Sequence, residues 1–241
     1  VSVGEVDTAE AMRGVASHCG RIRPGDVRRR PQVIEPQQLG ERRLMLPRDG
    51  ATAFLKLSYR AQSVNEPDFF PMLVIDAVLT GAKGLNLWAS FQTPPSQRSA
   101  RLYRTLVDAR LASSVMGELV PTAEPFLYTI SVTATEGTPL TQVEEAVLAE
   151  IDRVRSDGVT EAELARAARQ LRARLVFEND SITNIGHQLG YFETVANWQL
   201  TETLAGQIDA VTREQVGAAA AARLTQNNRT VAWLEPASEG G

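Results

Sequence analysis

The sequence predicts an α+β fold: a two-layer sandwich of a mainly antiparallel sheet with helices on one face. Three observations carry this. The predicted elements run two strands, helix, two strands, helix, followed by a helical stretch and a closing strand. In the run from Ala51 to Ala61, Ala53, Leu55, Leu57 and Tyr59 share one face while Phe54, Lys56, Ser58 and Arg60 share the other, so the sheet has one wet side. The helix from Phe69 to Leu79 is apolar around most of its circumference, which suits a helix that is enclosed.

Composition sets the bounds. The 241 residues, 43% hydrophobic and 22% charged, suffice for one large domain with a real core. A formal charge of -4 provides no field for nucleic acid or an anionic membrane, and neither partner is expected. The single cysteine, Cys19, can form no internal disulfide and leaves the compartment open between periplasm and cytoplasm. No apolar run approaches the roughly 18 residues that span a bilayer. The chain starts at Val1, in what reads as the end of a strand, and a fragment of a longer protein is expected.

Taken in order, Val1–Val3 reads as a strand end, and Asp7 with Glu10 as the capping box of a helix reaching about Cys19, stopped by Gly20. Residues 21–36 hold prolines and arginines without apolar periodicity and read as a linker. The arginines Arg28, Arg29 and Arg30 fit either a solvated linker or an anion contact. The expected division is therefore 1–20, the end of a preceding similar domain; 21–36, a linker; 37–236, an α+β domain; and 237–241, a tail.

The runs Glu41–Leu46 and Ala51–Ala61 flank Arg48-Asp49-Gly50, a turn signal that predicts neighbouring antiparallel strands. Pro67 and Asp68 open the apolar helix, whose Pro71 is tolerated in the first turn. After a long loop and a short helix with Arg101, Leu102, Tyr103 and Arg104, Leu111–Val120 and Pro125–Thr135 predict two more strands. Thr138-Pro139 starts a helix with Val143, Val147, Ile151 and Val154 as its buried stripe. Thr160 with Glu163 makes a second capping box, Ser181 restarts the chain after Asn179-Asp180, Thr212 caps a last helix, and Thr230–Leu234 predicts the closing strand.

This succession of parts resembles the second, non-zinc half of the pitrilysin/insulinase (inverzincin) zinc peptidases. The resemblance rests on V-x-V-G-E-V-D before a helix, the proline-rich linker, Glu41-Arg42-Arg43, the helix ending at Gly81, Arg101-Leu102-Tyr103, the helix after Gly158-Val159-Thr160, Trp198, Val211-Thr212 and Arg229-Thr230-Val231. It implies two similar α+β halves facing one another around a chamber for peptide. The zinc, held by H-x-x-E-H, belongs to the first half. Only His18 and His187 occur here, and neither sits in that pattern, so the segment is expected to carry no cofactor and zinc is expected in an upstream domain. His18 beside Cys19 points a different way on its helix and has no third partner.

The resemblance also implies partners: a peptide substrate, and either an upstream zinc-binding domain or an active peptidase subunit, a dimer being one such assembly. Candidate substrate-contacting residues are Gly81, Gly84, Trp88 and Phe91 in the loop, Arg101 and Arg104 on the helix after it, and Tyr128. The loop occupies the place of a glycine-rich substrate loop in related processing peptidases, although only two of its glycines are kept. The alternative is a surface loop that packs back on its own domain. Arg101 and Arg104 could pair with a substrate carboxylate or be plain surface arginines. Tyr128 could help hold a substrate carbonyl, although its strand lacks the arginine expected beside it, or be a core or sheet-surface tyrosine. Arg166, Arg169, Arg172 and Arg174 give the fourth long helix a basic outer face. The resemblance admits two roles: the non-catalytic chamber half of a zinc metalloendopeptidase, or an inactive subunit that scaffolds an active one.

Overall fold

A computed structural model describes residues 1–23, 25, 36–86 and 98–236. Its strands are β1 (Arg42–Arg48), β2 (Phe54–Ala61), β3 (Ala112–Leu119), β4 (Phe126–Ala134) and β5 (Arg229–Pro236). Its helices are α1 (Thr8–Cys19), α2 (Phe69–Thr80), α3 (Leu140–Asp157), α4 (Glu161–Glu178), α5 (Ile182–Val195), α6 (Leu200–Asp209) and α7 (Arg213–Arg223), with a π-helical turn at Tyr103–Asp108. The strands form one sheet in the order β1-β5-β2-β4-β3, antiparallel except for the parallel β1 and β5. The helices cover one face, as the alternation in β2 requires.

Periodicity placed the layers correctly. Leu55, Leu57 and Tyr59 of β2, Tyr128, Ile130 and Val132 of β4, Val115 of β3 and Val231 of β5 are all buried in one core. All twelve residues of α2 are buried. Each such Leu, Ile or Val contributes roughly 1.5–3 kcal/mol by leaving water. The capping residues act as their chemistry dictates: the Thr160 and Thr212 boxes are complete, and the Ser181 side chain accepts from the Asn184 N–H. At Asp7 only half the box forms, with the Asp7 carboxylate accepting from the Glu10 N–H.

Two expectations are corrected. The strands β1 and β2 are not neighbours, because β5 lies between them. Buried Glu144 of α3 accepts from both Trp233 Nε1 of β5 (2.7 Å) and Arg43 Nη1 of β1 (3.2 Å). The Glu41 carboxylate adds an ion pair to Arg229 and another to Arg43. These side chains tie β1 to β5, and the turn at Arg48-Asp49-Gly50 spans the gap instead of closing a hairpin. Val1–Val3 is not a strand, having no strand partner among the described residues. It lies instead along α5, with Val3 Cγ2 and Val1 Cγ2 at 3.4 and 3.5 Å from where side chains would begin at Gly186 and Gly190.

One glycine is fixed by packing. A Cβ at Gly117 on β3 would stand 2.0 Å from Asp76 Oδ1 and 2.4 Å from Thr80 Oγ1 of α2. The G117A substitution is therefore expected to destabilise the domain by about 1–3 kcal/mol, read as a lower urea midpoint. An unchanged midpoint would show that α2 is not held this close to β3.

Candidate functional site

Two features remain once the core is accounted for: the uncovered sheet face and the loop that leaves α2. In-register neighbours share a face, so Leu44, Ala232, Lys56, Ser131 and Met116 form one row of the uncovered side and Leu46, Leu234, Phe54, Thr133 and Ser114 the next. Leu44, Leu46 and Met116 are each about half exposed or more, at 52%, 50% and 54%. Hydroxyl pairs lie between these apolar side chains, Ser58 with Thr129 at 3.0 Å and Ser114 with Thr133 at 3.0 Å. A surface of mixed leucine, methionine and hydroxyl groups suits an extended polypeptide, which offers alternating side chains and backbone polar groups.

The loop starts where α2 ends. Gly81 caps α2 at φ +98°, a conformation that disfavours residues with a Cβ, and its N–H donates to the Ala77 carbonyl. Lys83 turns back: its Nζ donates to Thr80 Oγ1 (2.7 Å) and the Gly81 carbonyl (2.9 Å) and pairs with Asp76 Oδ2 (2.8 Å). The Thr80 hydroxyl donates to Asp76 Oδ1 at 2.6 Å. The only charge on α2 is thus neutralised by the first basic residue of the loop. At Gly84 a Cβ would fall 1.1 Å from Glu178 Oε1. The N–H groups of Leu85 and Asn86 donate to Glu178 Oε2 at 3.1 and 3.0 Å, and Asn86 Nδ2 donates to the Asn184 carbonyl at 2.8 Å. Trp88 and Phe91, like Arg28, Arg29 and Arg30, lie outside the described residues.

Arg101, beyond the loop, is committed inside the domain. Its Nε and Nη2 donate to Glu163 Oε1 (2.8 Å) and Oε2 (2.7 Å), and Nη2 also reaches the Gly158 carbonyl (3.1 Å). Glu163 is thus its pairing partner within the domain. Arg104 is exposed on the rim of a cleft of about 680 Å³ whose walls carry both Asp108, Glu150 and Asp157 and Arg153. The arginine that pairs with Glu150, Arg153, is held at 2.6 Å. Of its two readings Tyr128 takes the core one: it is 0% exposed, on the helix-covered side of β4. Burial raises its pKa well above the ordinary tyrosine value, with the Asp76 charge nearby adding to the shift.

The described candidate residues therefore do not converge. Gly84 meets the C-terminal residue of α4 and Arg101 meets its first turn, and the fifteen-residue step from Glu163 to Glu178 corresponds to roughly 22 Å of helix. Sequence reasoning missed Asp76, Lys83 and Glu178. A lone acid on an otherwise apolar helix signals a buried counter-charge and could have exposed Asp76. Nothing local marks Glu178, whose partners are backbone groups more than ninety residues away.

The donors present do not fit a zinc ion. His18 is exposed on α1 with Nδ1 2.9 Å from Ser17 Oγ and 2.8 Å from the Gly14 carbonyl. Cys19 is exposed beside it, and among the described residues no three His, Cys, Asp or Glu side chains gather at metal-binding distance.

The described residues thus form an α+β sandwich with one uncovered sheet face and a loop root clasped by Glu178, and among them no set of metal donors gathers. The family model described as the peptidase M16 inactive domain matches residues 1–171, and the chain belongs to that family. A curated relative, "Probable mitochondrial-processing peptidase subunit beta" of Schizosaccharomyces pombe, is 25% identical over 193 residues, 78% of this chain and 40% of the relative. A protease from Helicobacter pylori shares the fold at a TM-score of 0.84 and 16% identity, over 97% of this chain and 54% of that one. The peptidase M16 inactive domain from Pseudomonas fluorescens does so at 0.71 and 21%, over 97% and 52%. The chain thus spans between 40% and 54% of the length of these three proteins.

Two outcomes are expected from the ion pairs. The Glu163 carboxyl is lowered from 4.5 to about 2, chiefly by hydrogen bonding from Arg101, against the desolvation of partial burial and with help from the Thr160 N–H and hydroxyl. Because the folded value lies below the unfolded one, its stabilisation is complete above pH 4.5 and is lost as pH falls toward 2. Urea midpoints of wild type and E163Q should therefore differ at pH 6 and converge at the acid end of that window; a constant difference would rule the mechanism out. For the buried pair, K83M alone is expected to cost about 3–5 kcal/mol by stranding the Asp76 charge, and the D76N substitution added to K83M should recover part of the loss. Strict additivity in that cycle would mean that the two groups do not interact.

Proposed function

We propose that this chain is the non-catalytic half of a zinc-dependent metalloendopeptidase, forming one wall of a chamber that receives extended peptide. The carrying observation is the family match to an inactive peptidase domain in a chain that leaves a leucine- and hydroxyl-bearing sheet face uncovered. In this reading the zinc, its histidines and the general base belong to a domain upstream of this segment, and the peptide lies between the two sheets.

The same reading assigns 1–20 to the end of the preceding domain, 21–36 to the linker and 37–236 to the chamber wall. In support, α1 buries none of its residues against the rest of the chain, and Met12 and Val15 stand exposed on it. That reading leaves 237–241, outside the described residues, as the tail.

A second reading has support of its own. The curated relative is named as a subunit, so the parent could be an inactive chain that binds or scaffolds a separate zinc-bearing peptidase subunit. An upstream H-x-x-E-H favours the first reading; an upstream domain with those histidines replaced favours the second.

The test compares this segment with the complete protein and any co-purifying subunit. Zinc measured by atomic emission and hydrolysis of a quenched fluorescent peptide are expected in the larger assembly, with neither in the segment. One tightly held zinc per segment, or hydrolysis by it alone, would overturn both readings.

A further inference from the structure

The geometry points to a peptide of acidic and apolar side chains as the occupant of the uncovered sheet face, with Lys56 as the residue that selects it. This rests on the chamber-wall reading above and adds to it the class of peptide that the wall takes.

The charge of that face departs from the charge of the chain. The chain carries a formal charge of -4, yet the in-register pairs place Arg42, Lys56 and Arg60 on the uncovered side of the strands, with Glu118 as the one acid among the described residues there. Glu118 cannot serve Arg42, because β3 and β1 are opposite edges of the sheet, four strand spacings or roughly 19 Å apart. Lys56 stands exposed on the middle strand and has no acidic partner among the described residues.

Its neighbours across the strands are small, Ala232 on β5 and Ser131 on β4, with Leu44 and Met116 beyond them at the edges. The ammonium is therefore open to approach from both sides, in a row whose ends are apolar. A purely apolar partner laid on this row would take water from Lys56 without replacing it, which is unfavourable for a charge. A basic partner would repel it. A carboxylate answers it, and the leucine and methionine at the ends of the row suit apolar groups beside that carboxylate.

Spacing adds a pattern. On a strand the side chains of one face recur about every 6.8 Å, so successive rows of this face lie that far apart, as do the same-side side chains of an extended peptide. The row next to Lys56 holds Phe54, Leu234 and Leu46. A peptide lying along β2 thus meets the Lys56 row and this apolar row at residues two positions apart. Its complement is a glutamate or aspartate with a large apolar residue two positions away. Backbone groups of the inner strands are already paired in the ladder, so side chains make this choice.

The experiment uses the complete protein with its zinc-bearing half or subunit, under a chelator so that peptide is bound and not cleaved, and reads the fluorescence anisotropy of two labelled peptides. They differ at one position, two residues from a leucine, which is glutamate in one and lysine in the other. Wild type is expected to bind the glutamate peptide about tenfold more tightly, a preference that shrinks as salt is added. K56E should reverse the preference and K56M should bring it close to unity, with both urea midpoints near that of wild type because Lys56 is exposed. L46A, which removes apolar surface and no charge, should weaken both peptides alike.

Equal affinity for the two peptides in wild type, or a ratio that K56E leaves unchanged, would overturn the selection by Lys56; the response to L46A would then still report on the wall. Binding of neither peptide, or affinities that neither K56E nor L46A alters, would overturn the chamber-wall reading and the selection together.

Discussion

A helix whose every residue is buried must be covered on all sides, and α2 imposes that demand on the rest of the chain. The sheet covers one side through β3, and α3, α4, α6 and α7 supply the others. The enclosure leaves no water for Asp76, so its charge has to be met from inside the protein. Lys83 meets it and in doing so bends the chain back over the end of α2. The packing of the core thus fixes the direction in which the loop leaves, and Gly117 is small because the Asp76 and Thr80 side chains occupy the space above it.

Charge in this domain works mostly at the joints between elements. Glu144 binds β1 and β5 to α3, Glu163 secures the return of the loop through Arg101, and Glu178 secures its departure. Arg223 reaches from α7 to Asp68 at the start of α2, at 2.7 Å, and Arg172 reaches from α4 to Asp209 at 3.1 Å. Arg172, one residue of the basic outer face read from the sequence, is therefore a link between helices. The uncovered sheet face, by contrast, carries hydroxyl pairs and leaves Leu44 and Leu46 in the open.

The sequence disclosed most where one residue decides one local outcome. Threonine and serine ahead of a helix announced its start because their hydroxyls satisfy N–H groups that have no other partner. The alternation in β2 and β4 gave the wet and dry faces because side chains on a strand point to opposite sides. It failed where partners are distant. The turn at Arg48-Asp49-Gly50 looks the same whether its strands are adjacent or separated by one more, and β5 arrives from the far end of the chain. Tyr128 was legible as a strand residue, but whether it lay in the core depended on which face of the sheet the helices cover. Arg101 was read as available because its partner, Glu163, sits some sixty residues along, in a capping box that already explained that glutamate.

By itself, then, the sequence determined the elements, their caps, the wet and dry faces and, through the order of its motifs, the family. Those properties follow from interactions over a few residues, whose geometry is set by the backbone period. Only the tertiary structure decided that β5 separates β1 from β2, that Lys83 answers Asp76, that Tyr128 is core and that both ends of the loop are fastened to α4. Each of these depends on groups far apart in the chain finding one another at about 3 Å, and hydrogen bonds of that reach leave no periodic trace in the sequence.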